Sequence, residues 1–131
     1  MKSEVFVAID GNQIGCHIER LLFTGRLEEL SDYSLRITAS VRSFVKSIEG
    51  LGGKVVMAGG DNVLASMPRD GVEKFLSRIH FFATAELTFS TGIGDTPVEA
   101  YLALKYAKTE GGGIVTFANG RFAVGISEWG K

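Results

Sequence analysis

Apolar and polar positions change period several times along the chain. Residues 4–10, EVFVAID, form a short apolar run rich in β-branched and aromatic side chains, which predicts a buried strand ending on an acid, Asp10. After GNQIG, the stretch CHIERLLFTG sets Ile18, Leu21 and Leu22 at helical spacing, and Gly25 stops that helix. Across residues 27–49 the positions Leu30, Tyr33, Ile37, Val41, Phe44, Val45 and Ile48 recur at three and four residues, the spacing of a long amphipathic helix, and GLGG closes it. Residues 55–57 and 63–67 then read as two arms of a hairpin around Gly59, Gly60, Asp61 and Asn62. After Pro68, residues 72–84 predict a helix, and ELTFSTGIG alternates as a strand. Thr96 as N-cap and Pro97 at the first helical position open another helix, which Gly111 to Gly113 end. Residues 114–117 form a last strand and residues 122–126 a candidate sixth.

The order βααββαβαβ contains no linker, repeat or low-complexity segment. It predicts a single domain over residues 1–131 with an α+β, ferredoxin-like fold: an antiparallel sheet with helices packed on one face. Composition agrees with that and narrows the setting. Of the 131 residues, 45% are apolar and 22% charged, enough to bury a core without staples. No segment approaches the roughly 18 apolar residues of a membrane span, and the N-terminus enters a strand pattern with no export signal, so the expectation is a cytoplasmic protein without membrane contact. The single cysteine, Cys16, excludes an internal disulfide and a multi-cysteine metal site. A net charge of −1 argues against an extended nucleic-acid binding surface, which needs clustered Lys and Arg.

The chemistry centres on two acids. In a sheet of this kind the first strand and the central hairpin are commonly neighbours, which would bring Asp10 beside Asp61. Two such carboxylates are costly unless a cation neutralises them, and magnesium suits the task, because it takes one or two protein carboxylates and completes its shell with water and phosphate oxygens. Bland readings stand beside these. Asp61 alone is a polar turn residue, Asp10 alone a helix cap, and Lys108 alone a solvated charge favoured near a helix C-terminus. Gly111 to Gly113 read as a helix stop. Cys16 has no histidine and acid at recognisable spacing, His17 and His80 lack ligand spacing, and Phe75, Phe81 and Phe82 read as core, or in part as a subunit interface.

Three stretches, VFVAIDGNQIGCHIERLL, GGKVVMAGGDNVLASM and STGIGDTPVEAYLALKYAKTEGG, together resemble the minimal CRISPR polymerase family, stand-alone palm domains related to the polymerase subunit of type III CRISPR effectors and to GGDEF diguanylate cyclases. The resemblance rests on Asp10 at its strand end, the turn from Gly59 to Asp61, and the spacing of Ala100, Ala103, Leu104, Ala107 and Lys108. It implies that Asp10 and Asp61 hold two Mg²⁺ (or Mn²⁺) ions with the Gly11 carbonyl as a further ligand. The amides of Gly11, Asn12, Gln13, Ile14 and Gly15 would cradle a triphosphate, and Lys108 would reach its phosphates. It further implies a ribose or base contact for Asn12, a base-pocket role for Ser34, and nucleotide contact at Gly59, Gly60 and Asn62. Many relatives carry a second acid where this chain has Asn62, which coordinates without adding charge. No side chain stands out as a general base.

The function implied is a nucleotidyltransferase making a cyclic oligonucleotide, above all a cyclic dinucleotide from ATP, as a messenger in antiviral defence, working as a homodimer that faces two sites. Two other readings remain: a hydrolase resembling archaeal GTP cyclohydrolase III, and a degenerate palm that binds a nucleotide or cyclic product without turnover.

Overall fold

A computed structural model describes residues 3–79 and 86–125 of the protein. The elements run β1 (Glu4–Gly11), α1 (Ile14–Phe23), α2 (Leu27–Gly50), β2 (Lys54–Gly59), β3 (Asn62–Pro68), α3 (Arg69–Ile79), β4 (Phe89–Gly94), α4 (Pro97–Thr109), β5 (Gly113–Ala118) and β6 (Arg121–Val124). The expected α+β fold holds, and the elements run βααββαβαββ, the expected order with the candidate sixth strand added at its end. The far end of the helix expected over residues 72–84, together with His80, Phe81, Phe82 and Ile126, lies outside the described residues.

The six strands form one sheet in the order β2-β3-β1-β4-β5-β6, which puts β1 near the middle between two antiparallel neighbours. Period-two alternation along β1 divides its side chains. Val5, Val7 and Ile9 enter the main core with Tyr33, Ile37, Phe44 and Ile48 of α2 and Val72 and Phe75 of α3. Phe44 stands edge-on to both Phe75 and Phe89, the arrangement that ring quadrupoles favour. On the opposite face, Phe6 and Ala8 meet Ala100 and Leu104 of α4.

Two details depart from the expected ferredoxin-like sheet. β4 and β5 pair in parallel, so the sheet is mixed rather than antiparallel, because a helix, α4, joins them and returns the chain to the same end. The helices also cover both faces: α1, α2 and α3 lie on one side and α4 on the other. The strand order shows why the one-face expectation fails. β3 and β4 are parallel to each other, since both run against β1, and the step from β3 to β4 goes the same way across the sheet as the step from β4 to β5. Connections of one hand would place α3 and α4 on the same face; they lie on opposite faces, so the α4 crossover has the hand opposite to that of α3, against the strong general preference for a single hand. Close contact stabilises this exception. Gly92 and Gly94 face α4, and a Cβ on Gly92 would overlap the Ala100 carbonyl oxygen and the Leu104 amide nitrogen. Ala100, Ala103 and Ala107 complete a seam of small residues, all fully buried. At its start α4 is capped as expected, the Thr96 side chain accepting from the Glu99 amide at 3.1 Å.

Candidate functional site

β1 and β3 pair until Asp10 faces Asn62, and the Gly11 amide then donates to the Asp61 carbonyl at 3.2 Å. The first strand therefore ends against the tip of the hairpin, and the Asp10 and Asp61 carboxyls come within hydrogen-bonding reach of one another. Asp10 follows Phe6 and Ala8 on the α4 side of β1, where Lys108 from the last turn of α4 meets it. The Lys108 ammonium lies 2.9 Å from Asp10 Oδ2 and donates to the Gly11 carbonyl at 2.8 Å. Burial is the main cause that raises the Asp61 carboxyl above the usual carboxylate range; the charge of Asp10 and its hydrogen bond add to that, and Lys108 opposes it.

The local sequence explains the close approach. Gly59 pairs with Asn62, leaving Gly60 and Asp61 as a two-residue turn, and Gly60 takes φ +55°, the positive value such a hairpin needs at its first turn residue. Gly59 has no such requirement, since a Cβ there would meet nothing within 4 Å. At Gly11 a Cβ would lie 2.5 Å from Ile14 Cγ1 and 2.9 Å from Asp61 Oδ2, so a side chain there would force the Ile14 and Asp61 side chains to shift.

Asp10, Asp61 and the Gly11 carbonyl make a set of hard oxygens, and two of them already share one cation, the lysine ammonium. That is the donor chemistry a magnesium-sized ion takes, with water and phosphate oxygens for the rest of its shell. Among the described residues no group of three His, Cys, Asp or Glu side chains could hold a metal. Asn62 sits in β3 opposite Asp10, half-buried.

Beyond Gly11 the chain turns sharply into α1. Gln13, exposed, holds the left-handed conformation at φ +53° before Ile14 starts the helix, and no side chain caps the first-turn amides of Ile14 and Gly15. Unpaired amides at a helix start favour an anion. Asn12 is braced rather than free. Its Nδ2 donates to Thr88 Oγ1 at 3.0 Å, its Oδ1 accepts from Ser90 Oγ at 2.6 Å, and its amide donates to the Thr88 carbonyl. One amide hydrogen remains for a ligand.

A groove leads away from this loop. Asn12, Gln13, Arg20 and Thr88 line a polar recess of about 290 Å³, which shares His17 and Glu86 with a cleft of about 560 Å³ between α1 and α2. His17 packs on the Tyr33 ring with centroids 4.4 Å apart, and the Tyr33 hydroxyl donates to the Glu86 carbonyl at 3.1 Å. Burial is the first cause that raises the Tyr33 hydroxyl's pKa. Tyr33 and His17 are absent from the site residues drawn from the sequence, because Tyr33 falls on the apolar stripe of α2 and reads as core; only the pairing of the two helices turns its polar end toward a cleft. Ser34 is exposed on α2 beside Tyr33, outside the lining of that cleft, and Cys16 is an exposed thiol.

Residues 6–118 match the minimal CRISPR polymerase domain family. Among solved structures, the chain is similar to a diguanylate cyclase/phosphodiesterase from Caldicellulosiruptor saccharolyticus at 18% identity and TM-score 0.62, covering 92% of this chain and 80% of that one. It is also similar to a bacterial light-regulated adenylyl cyclase, at 13% identity and TM-score 0.59, over 87% of this chain and 74% of the other. A third likeness, at 21% identity and TM-score 0.62, is to a Csm1-Csm4 cassette in complex with cA4, covering 90% of this chain but 21% of the other. At these identities the likenesses establish the fold, that of cyclase and palm domains. No curated protein matches the chain. The strand-end acid, the glycine-rich turn that sets a second acid beside it, and a match over residues 6–118 make this chain a member of the minimal CRISPR polymerase domain family.

Proposed function

We propose that the protein is a metal-dependent nucleotidyltransferase that joins nucleoside triphosphates, with ATP favoured, into a cyclic dinucleotide, a messenger in prokaryotic antiviral defence. The observation that carries this reading is the meeting of the Asp10 and Asp61 carboxyls with the Gly11 carbonyl, beside the open start of α1. Mg²⁺ or Mn²⁺ ions held by these three groups would supply Lewis acidity to the attacking ribose hydroxyl and counter-charge to the leaving pyrophosphate. The chain's own residues do the positioning. The uncapped amides of Ile14 and Gly15 at the start of α1 receive the triphosphate, since those of Gly11 and Asn12 are already held by the Asp61 and Thr88 carbonyls; Lys108 reaches it on a flexible stem, and the cleft against Tyr33 and His17 takes the base, with Ser34 on α2 nearby. Gly60 sets the tight turn, Gly59 leaves open space beside it for the ribose, and Asn62 offers an amide without a further charge. The hydroxyl oxygen of one nucleotide bonds to the α-phosphorus of the other, the bond to pyrophosphate breaks, and the hydroxyl proton leaves to water.

One chain offers one such site, so joining two nucleotides in both directions is met by two copies facing each other. A cytoplasmic setting is consistent with the described residues, which include no helix long and apolar enough to cross a membrane.

Mass spectrometry of products from each NTP and from mixtures, with Mg²⁺ or Mn²⁺ and with Asp61→Ala alongside, tests the proposal. A cyclic nucleotide lost in the variant is the expected result. Ring-opened GTP would favour the hydrolase reading, and bound nucleotide with no product would favour a binding module.

A further inference from the structure

The Lys108 contacts have a consequence for how the site loads. The ammonium bonds two oxygens, Asp10 Oδ2 at 2.9 Å and the Gly11 carbonyl at 2.8 Å, and both belong to the set proposed to hold a divalent ion. We infer that Lys108 and a divalent ion are alternative occupants of the notch between Asp10 and Gly11, and that the lysine thereby couples metal binding to nucleotide binding. The inference rests on the metal reading of the site given above.

Three physical points support it. A magnesium-sized ion binds oxygen at about 2.1 Å, well inside hydrogen-bond length, so an ion sharing both oxygens enters the space the ammonium now fills. The Lys108 and Asp10 side chains are each 31% exposed, so water screens two neighbouring cations only partly. Lys108 also has somewhere to go. It sits in the last turn of α4 on a four-carbon stem, and the uncapped amides of α1 that would hold a triphosphate begin three residues past Gly11. Phosphate oxygens there would replace the two acceptors the ammonium gives up. A divalent ion arriving alone must displace the lysine without that compensation, whereas an ion arriving with a triphosphate brings the replacement. Lys108 thus acts as a positioning residue that disfavours metal in the absence of nucleotide.

The experiment measures Mn²⁺ affinity without nucleotide, from the electron paramagnetic resonance of free Mn²⁺, for the wild type, Lys108→Met and Lys108→Gln. Lys105→Met is the control. It removes the same charge from α4 at a residue whose ammonium lies over the Tyr101 ring, 5.3 Å from its centroid. Both Lys108 variants are expected to bind Mn²⁺ about tenfold tighter than the wild type, with Lys105→Met within about twofold, since an exposed charge acts through screened solvent. Adding Asp10→Asn to Lys108→Met is expected to abolish the gain. The same Lys108 variants are expected to bind a non-hydrolysable NTP with Mg²⁺ more weakly than the wild type. If the wild type binds Mn²⁺ together with that analogue and the Lys108 variants are no tighter than Lys105→Met without it, the coupling is wrong and the metal site stands. If folded wild type and variants all fail to bind Mn²⁺, with or without the analogue, the metal reading falls and the coupling with it.

Discussion

Asp61 carries its charge against its surroundings. Burial first, and Asp10 second, hold its carboxyl above the usual carboxylate range. For a group whose folded pKa is raised, the associated stability is fully present below the unfolded value and is lost as pH rises through the folded value. In EDTA, Asp61→Asn is therefore expected to melt above the wild type at neutral pH, and the gap is expected to close as pH falls below the ordinary Asp range. Thermal unfolding of both proteins across that window is the check; a gap that is the same at every pH would mean that the Asp61 charge is not what costs stability. Such an acid, kept at a cost to the fold, fits a residue retained for chemistry.

At the scale of single elements, α4 is held by absent side chains. Gly92 and Gly94 let the helix backbone rest on β4, and alanines fill the seam. Gly92→Ala must push α4 off the sheet and is expected to cost about 3 kcal/mol or more in urea unfolding, while also withdrawing Lys108 from Asp10. Gly59→Ala meets nothing within 4 Å and is expected to change stability by about 0.5 kcal/mol or less. If the two substitutions cost the same, the close seam is not what seats α4. The double glycine of the hairpin is thus two different things: Gly60 serves the turn's backbone, and Gly59 leaves open space beside it.

For the whole molecule, the sheet order brings three separate segments to one end of β1: the β1–α1 loop, the β2–β3 turn and the last turn of α4. Asp61 comes from the turn and Lys108 from α4, and both meet Asp10, the next-to-last residue of β1 itself. On the proposed reading this end holds one nucleotide, so a cyclic dinucleotide calls for two copies. Sedimentation at catalytic concentration, with a non-hydrolysable NTP and Mg²⁺, is expected to show a dimer. A strict monomer that still makes the cyclic product would overturn the two-copy arrangement and leave the chemistry in place.

Local information was enough to read much of this. The elements are legible because each period of burial repeats over a few residues, as in the α2 stripe from Tyr33 to Ile48. Asp10 at its strand end and the Gly60–Asp61 turn are legible because strand ends and tight turns are chosen by adjacent residues. The tertiary structure alone decided the face that α4 covers. That helix buries Ala100, Ala103 and Ala107 yet exposes Val98, Tyr101 and Leu102, so its pattern does not say which side meets the sheet, and the usual hand of crossovers points to the other face. It also decided that Lys108 lands on Asp10 and Gly11, that Asn12 is braced by Thr88 and Ser90, and that His17 and Tyr33 line a cleft. Each of these joins residues distant in sequence or carried on different helices, and such contacts follow from packing, which no local period encodes.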